Sequence, residues 1–284
     1  MRISESIKEA ALVLDGAGVA EARREAGSLL EFILGKDRTF LIGHAEDEID
    51  ENSLARLREF VARRAAGEPL QYITGVQDFY GREFKVTPDV LIPRPETELL
   101  VETALQLVGD AGVAPAICDV GTGSGCIGVT LLCELRNARA VLSDISAVAL
   151  EIAKINAQNL AVADRARFVV SECFDALDSR KHQFDFIVSN PPYVTAAALA
   201  GLQREVRDHE PHIALSPGGD GLSVIRRLID ESPEFLKPNG HMLMEIGFDQ
   251  SEAVKKLVES SVWSLREIRP DLQGIPRIVV LQRR

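Results

Sequence analysis

The chain has 284 residues, 46% of them hydrophobic and 26% charged, and a net charge of −11. This is the balance of a globular protein with one large or two ordinary domains. No run of eighteen apolar residues occurs, which excludes a spanning helix. The acidic balance disfavours nucleic acid as a partner, because counterion release from phosphates needs a basic face.

The opening "MRISESIKEAALVLDGAG" is broken by charges and lacks the apolar stretch of a signal peptide. Cys118, Cys126, Cys133 and Cys173 form no CxxC pair and no metal-finger spacing, so buried thiols of a cytoplasmic protein without a metal site are expected. Residues 1–66 read as three or four short helices, the first starting at a Ser cap candidate and the segments ending in Gly. The one basic cluster, "RLREFVARR" (56–64), has helical spacing and reads as a solvated face. At 70–86, "LQYITGVQDFYGREFKV" is aromatic and β-branched and predicts a hairpin. The proline-rich "TPDVLIPRPETE" (87–98) follows as a linker. The expected organisation is a helical domain over 1–75, a hairpin and linker over 76–98, and a second domain over 99–284.

Beyond residue 99, strands alternate with helices. Candidate strands are 116–120, 140–145, 167–172, 184–189, 241–246 and 277–282; candidate helices are 126–135, 146–159, 221–230 and 249–260. Such alternation implies parallel pairing with right-handed crossovers, a doubly wound α/β sheet.

"CDVGTGSGCIGVTLL" (118–132) has the order strand, glycine-rich turn, helix. Ligands of α/β sheets sit beyond the carboxyl ends of strands, most often at such a turn. "GSGCIG" (123–128) matches the dinucleotide pattern GxGxxG, but it begins inside the turn. The in-phase reading starts at Asp119 and runs Gly121, Thr122, Gly123, Ser124, Gly125. That form suits S-adenosylmethionine (SAM) better than NAD, with Asp144 at the next strand end accepting from two ribose hydroxyls. Ser146 is the better cap for the helix that follows.

"FDFIVS" (184–189) is the fourth strand of this series, and "NPPY" (190–193) stands at its carboxyl end. Pro191 and Pro192 have no N–H and restrict their neighbours to extended backbone. Asn190 adds a neutral side-chain carbonyl. Together they offer acceptors for a planar –NH2 group, with Tyr193 stacking on its flat face.

With "IPRPETE" (92–98), "DVGTGSG" (119–125), "SDIS" (143–146), "NPPY" (190–193), "EPHIALSPGGDGL" (210–222) and "LQGIPRIVV" (272–280), the chain resembles the HemK/PrmC family along nearly its whole length. That family methylates the glutamine of the Gly-Gly-Gln motif in peptide-chain release factors. The resemblance implies a Rossmann-like, seven-stranded SAM-dependent methyltransferase domain behind a helical substrate-recognition domain. It implies that Gly121–Gly125 and Asp144 contact SAM, with Asp119 and Asn190 also among the cofactor residues, that Asn190 to Tyr193 hold the substrate glutamine, and that Glu172 and Cys173 face the adenine. The product would be S-adenosylhomocysteine, the partner a release factor, and the state a monomer. Cys173 stands where an aromatic is frequent, and His212 where an arginine is. "HEPH" (209–212) reads as a surface loop, since two histidines without further ligands make no metal site. Arg94, Glu96 and Glu98 either contact SAM or the factor, or fix the linker through charge pairs. The alternative function is methylation of an adenine amine in nucleic acid, which presents a similar –NH2 but needs a basic groove.

Overall fold

The computed structural model describes residues 1–108 and 114–284. Helices come first: α1 (Ile3–Gly16), α2 (Ala22–Leu34), α3 (Arg38–Gly43), α4 (Glu51–Ala65) and α5 (Leu70–Thr74). Asp50 caps α4 by accepting from the Ser53 N–H at 2.9 Å. Leu57, Phe60, Val61 and Arg64 then recur at three- and four-residue intervals and form its buried face. The three apolar residues of that face share one core with Leu14, Leu29 and Leu30. Arg64 departs from the expected solvated face. It is 7% exposed and pairs with Glu25 and Glu205, each at 2.6 Å. Arg58 pairs with Glu9 and Arg63 with Glu68, so carboxylates match most of the basic cluster.

The hairpin is shorter than the sequence suggested, with β1 (Val76–Phe79) and β2 (Arg82–Lys85) only. Residues 70–74 are helical instead. Pro69 starts α5 and Gly75, at φ +79°, ends it, so the terminal signals outweigh aromatic and β-branched content.

The second half contains α6 (Glu98–Val108), β3 (Ala116–Val120), α7 (Cys126–Glu134), β4 (Arg139–Asp144), α8 (Ala147–Asn159), β5 (Ala166–Val170) and β6 (Phe184–Ser189). It continues with α9 (Arg204–His209), α10 (His212–Leu215), α11 (Ser223–Glu231), β7 (Leu236–Glu245), α12 (Ser251–Leu257), β8 (Trp263–Pro270) and β9 (Pro276–Arg283). Seven strands form one sheet in the order β5-β4-β3-β6-β7-β9-β8. Its first five strands run parallel, as expected. β9 pairs antiparallel to β7 and to β8, so the last two strands join as a hairpin and leave the sheet mainly parallel. Their short connection explains this, because a parallel return needs a crossover of a dozen or more residues. This is a Rossmann-like sheet. Its central strands are apolar on both faces: Ile187 and Val188 of β6 are fully buried in the cores on opposite sides.

Residue contacts divide the chain into two compact units. One comprises Met1–Val76 with Gln203–His209, the other Gln77–Leu202 with Glu210–Arg284. Among the described residues, no helix is long and apolar enough to cross a membrane.

Candidate active site

The carboxyl ends of β3, β4 and β6 border a cavity of about 430 Å³, within the range of about 300–1,000 Å³ usual for small-molecule sites. Gly121, Thr122, Gly123 and Ser124 of the first loop line it, together with Asp144. Gly121 and Gly123 have φ of +71° and +55°, and a Cβ on either would meet no atom within 4 Å. The loop therefore needs glycine for its backbone course, and a ligand can lie directly against it. Gly125 has another task. A Cβ there would come within 3.1 Å of Ala153 in α8 and Val129 in α7.

Hydrogen bonds hold this loop in place. The N–H groups of Gly121 and Thr122 both donate to the Ser143 carbonyl at 2.9 Å. Asp144 accepts from Gly123 N–H at 2.8 Å through one oxygen and from Ser146 N–H at 2.9 Å through the other. Ser146 caps α8 through Ala149 N–H, as expected. Burial raises the Asp144 pKa, and these bonds oppose the rise. Asp119 lies beneath the loop and does not line the cavity. It is fully buried and accepts from Thr122 Oγ1 at 2.6 Å and Gly128 N–H at 2.9 Å. Burial pushes its carboxyl up to about 6.

Glu172 and Cys173 line the same cavity. Glu172 pairs with Arg227 at 2.9 Å, and burial pushes the Cys173 thiol up to about 11.

Asn190, Pro191 and Pro192 form a further wall. Asn190 Nδ2 donates to Thr97 Oγ1 at 3.0 Å, and Thr97 Oγ1 donates to Glu245 Oε2 at 2.6 Å. Among the described residues, neither Asn190 Oδ1 nor the Pro191 carbonyl makes a hydrogen bond. Tyr193 is not part of the cavity lining. Its hydroxyl donates to Glu245 Oε1 at 3.0 Å, a partner that a half-buried phenol requires beyond any stacking role. Burial raises the pKa of both Tyr193 and Glu245. Gln250 fixes the turn from behind, donating to the Tyr193 carbonyl at 3.1 Å and accepting from Gly247 N–H at 2.9 Å.

The linker residues settle against the same wall. Arg94 lines the cavity and pairs with Glu210, which is 4% exposed and also accepts from Ile92 N–H. Glu98 accepts from Tyr80 N–H at 2.8 Å, while Glu96 is exposed. The segment around "HEPH" is not a surface loop, since α9 and α10 flank the buried Glu210.

Comparison with known proteins supplies the relationship. Residues 5–75 match the family profile described as PrmC N-terminal domain, and residues 95–220 match the methyltransferase small domain. A release factor glutamine methyltransferase of Koribacter versatilis is 44% identical over 280 residues, covering 99% of this chain and 98% of its own. The chain belongs to the release factor glutamine methyltransferase family. The Cereibacter sphaeroides member is 42% identical over 279 residues, 98% of each chain. A methyltransferase structure from Pyrococcus furiosus, 15% identical, has a TM-score of 0.52 over 82% of this chain and 98% of that one, and shares the fold.

In this family member, sequence reasoning missed Glu245 and gave Thr97 no role. The available signal was a carboxylate ending the otherwise apolar run "HMLMEI", since a buried charge must be hydrogen-bonded. Gly221 is a second support of the turn. It has φ +77°, and a Cβ there would fall well inside contact distance of the Tyr193 carbonyl oxygen. Gly221→Ala is therefore expected to destabilise the protein by about 1–3 kcal/mol, measured as a lower denaturation midpoint with unchanged slope.

Proposed function

We propose that the chain transfers a methyl group from SAM to the side-chain amide nitrogen of the Gly-Gly-Gln glutamine in peptide-chain release factors, as a cytoplasmic monomer. The observation that carries the reading is the pair of acceptors on the cavity wall, Asn190 Oδ1 and the Pro191 carbonyl, neither engaged within the described residues. Two carbonyl-type acceptors at the end of β6 match the two hydrogens of a primary amide. They fix its plane and aim its nitrogen into the cavity.

What supports SAM is the open backbone at Gly121 and Gly123 and the carboxylate at the end of β4. The loop would hold the amino-acid tail, Asp144 the ribose hydroxyls, and Glu172 with Cys173 the adenine edge. SAM, when bound, supplies an electrophilic methyl group. The protein's task is then to orient a weak nucleophile and exclude water, and no strong base is required, because the proton can leave the amide after transfer. Asp119 serves by holding Thr122 and the start of α7, and Tyr193 by anchoring the turn through Glu245.

Labelled SAM offered with a release factor and, separately, with duplex DNA tests the reading. Label in the Gly-Gly-Gln glutamine supports it, and label in adenine alone overturns it. The helical unit is assigned to recognition of the whole factor. A chain lacking residues 1–76, with 203–209 replaced by a short Gly-Ser link, is expected to bind SAM as the full chain does and to methylate a short Gly-Gly-Gln peptide. It should modify the intact factor at least about tenfold more slowly, a loss equivalent to about 1.4 kcal/mol of recognition. Equal rates on the intact factor would remove that role.

A further inference from the structure

We propose that Glu245 is a positioning residue that determines which end of the Asn190 amide faces the cavity; the inference rests on the reading that Asn190 accepts from the substrate amide. An asparagine amide has an accepting end and a donating end of nearly the same shape. Only the accepting end can hold a substrate –NH2. Nothing in the Asn190 side chain itself chooses between them, so the choice must come from its partner.

That partner is Thr97, whose hydroxyl has a single hydrogen. The Thr97 and Tyr193 hydroxyls, at 2.6 and 3.0 Å, favour the ionised form of Glu245 against its burial, and an ionised carboxylate can only accept, here through both oxygens. With its hydrogen committed to Glu245, Thr97 can only accept from Asn190. Nδ2 must therefore point at Thr97, and Oδ1 is left on the cavity side. The donor directions run one way, from Asn190 through Thr97 to Glu245. Glu245 is 2% exposed, and Thr97 is equally buried, so water is poorly placed to substitute for a missing partner.

A space-filling role for Glu245 and a polarity-setting role differ in one measurable respect. In Asn190→Asp, two carboxylates face one Thr97 hydrogen, and one of them is left without a donor. In the double variant Asn190→Asp/Glu245→Gln, the directions can reverse. The glutamine –NH2 then donates to Thr97, Thr97 donates to the carboxylate introduced at position 190, and Tyr193 donates to the glutamine carbonyl. Each of the three contacts then pairs one donor with one acceptor, and an oxygen still faces the cavity.

The experiment is a double-mutant cycle read as the single-turnover rate of glutamine methylation in a release factor, with SAM affinity measured by calorimetry on each variant. SAM affinity should stay within about threefold of wild type throughout, as expected where no cofactor contact is lost. The double variant should be at least about tenfold faster than Asn190→Asp alone, a coupling within the range for residues sharing one network. Losses that simply multiply would overturn the proposal. A second pair guards against a variant that fails to fold: Thr97→Ser keeps the hydroxyl and should keep the rate, whereas Thr97→Val should lose it with SAM binding intact. Full activity in Thr97→Val would also overturn it. Absence of glutamine methylation by the wild-type protein is a different result, and it would bring down the functional reading on which this one stands.

Discussion

Asn190→Ala is expected to lower the single-turnover rate of glutamine methylation by about 10²-fold or more, the size of loss seen when one positioning hydrogen bond is removed at a reacting centre. The substitution deletes one of the two acceptors on the cavity wall and leaves the substrate amide free to rotate about the other. Methyl transfer needs the nitrogen in line with the breaking bond and roughly 3 Å from the carbon, so rotation reduces the reactive fraction directly. It also leaves Thr97 with an unfilled lone pair, a smaller cost than an unfilled buried donor. SAM affinity should change little, because the lost contact is to substrate. Mass spectrometry of the factor's glutamine measures the rate, and calorimetry the affinity. A variant as fast as wild type would reduce the proline turn to a strand terminator.

Asp144→Ala should weaken SAM binding by about 1.5–3 kcal/mol, the loss for a charged hydrogen-bond acceptor, or roughly 10- to 150-fold in Kd. The structure argues for the upper half of that range. Asp144 also holds the N–H groups of Gly123 and Ser146, so its removal loosens the loop as well as the ribose contact. Asp144→Asn separates the two effects, since its remaining oxygen can hold one N–H while the negative charge is gone. Unchanged SAM affinity in Asp144→Ala, or tight binding of NAD by the wild type, would contradict the assignment.

The strands and the glycine-rich loop were legible because their signals are local. β3, β4, β6 and the core of β7 are short apolar runs, and the loop is one glycine-rich segment after β3. β8 was missed because "WSLREIRP" is an edge strand with mostly half-exposed and exposed positions, and its charges mask the alternation. α6 was missed because it follows directly on the proline-rich linker. The turn after β6 was also legible, as Asn190 and the prolines are adjacent. Thr97 and Glu245 were not. They lie 148 residues apart and meet only because the start of α6 packs against β7. A sequence displays a turn, but it does not display the buried carboxylate that a distant segment brings to it.

The helical unit borrows residues 203–209 from late in the chain, and that has a consequence for synthesis. Glu205, one of the two carboxylates on buried Arg64, is made long after Arg64 itself. At about 5–20 residues per second, the interval between residues 76 and 203 is roughly 6–25 s. Over that time Arg64 has Glu25 as its carboxylate partner and lacks the second. The N-terminal helices thus emerge from the ribosome as an incomplete unit, and they gain their last charge partner only when most of the enzyme has been translated.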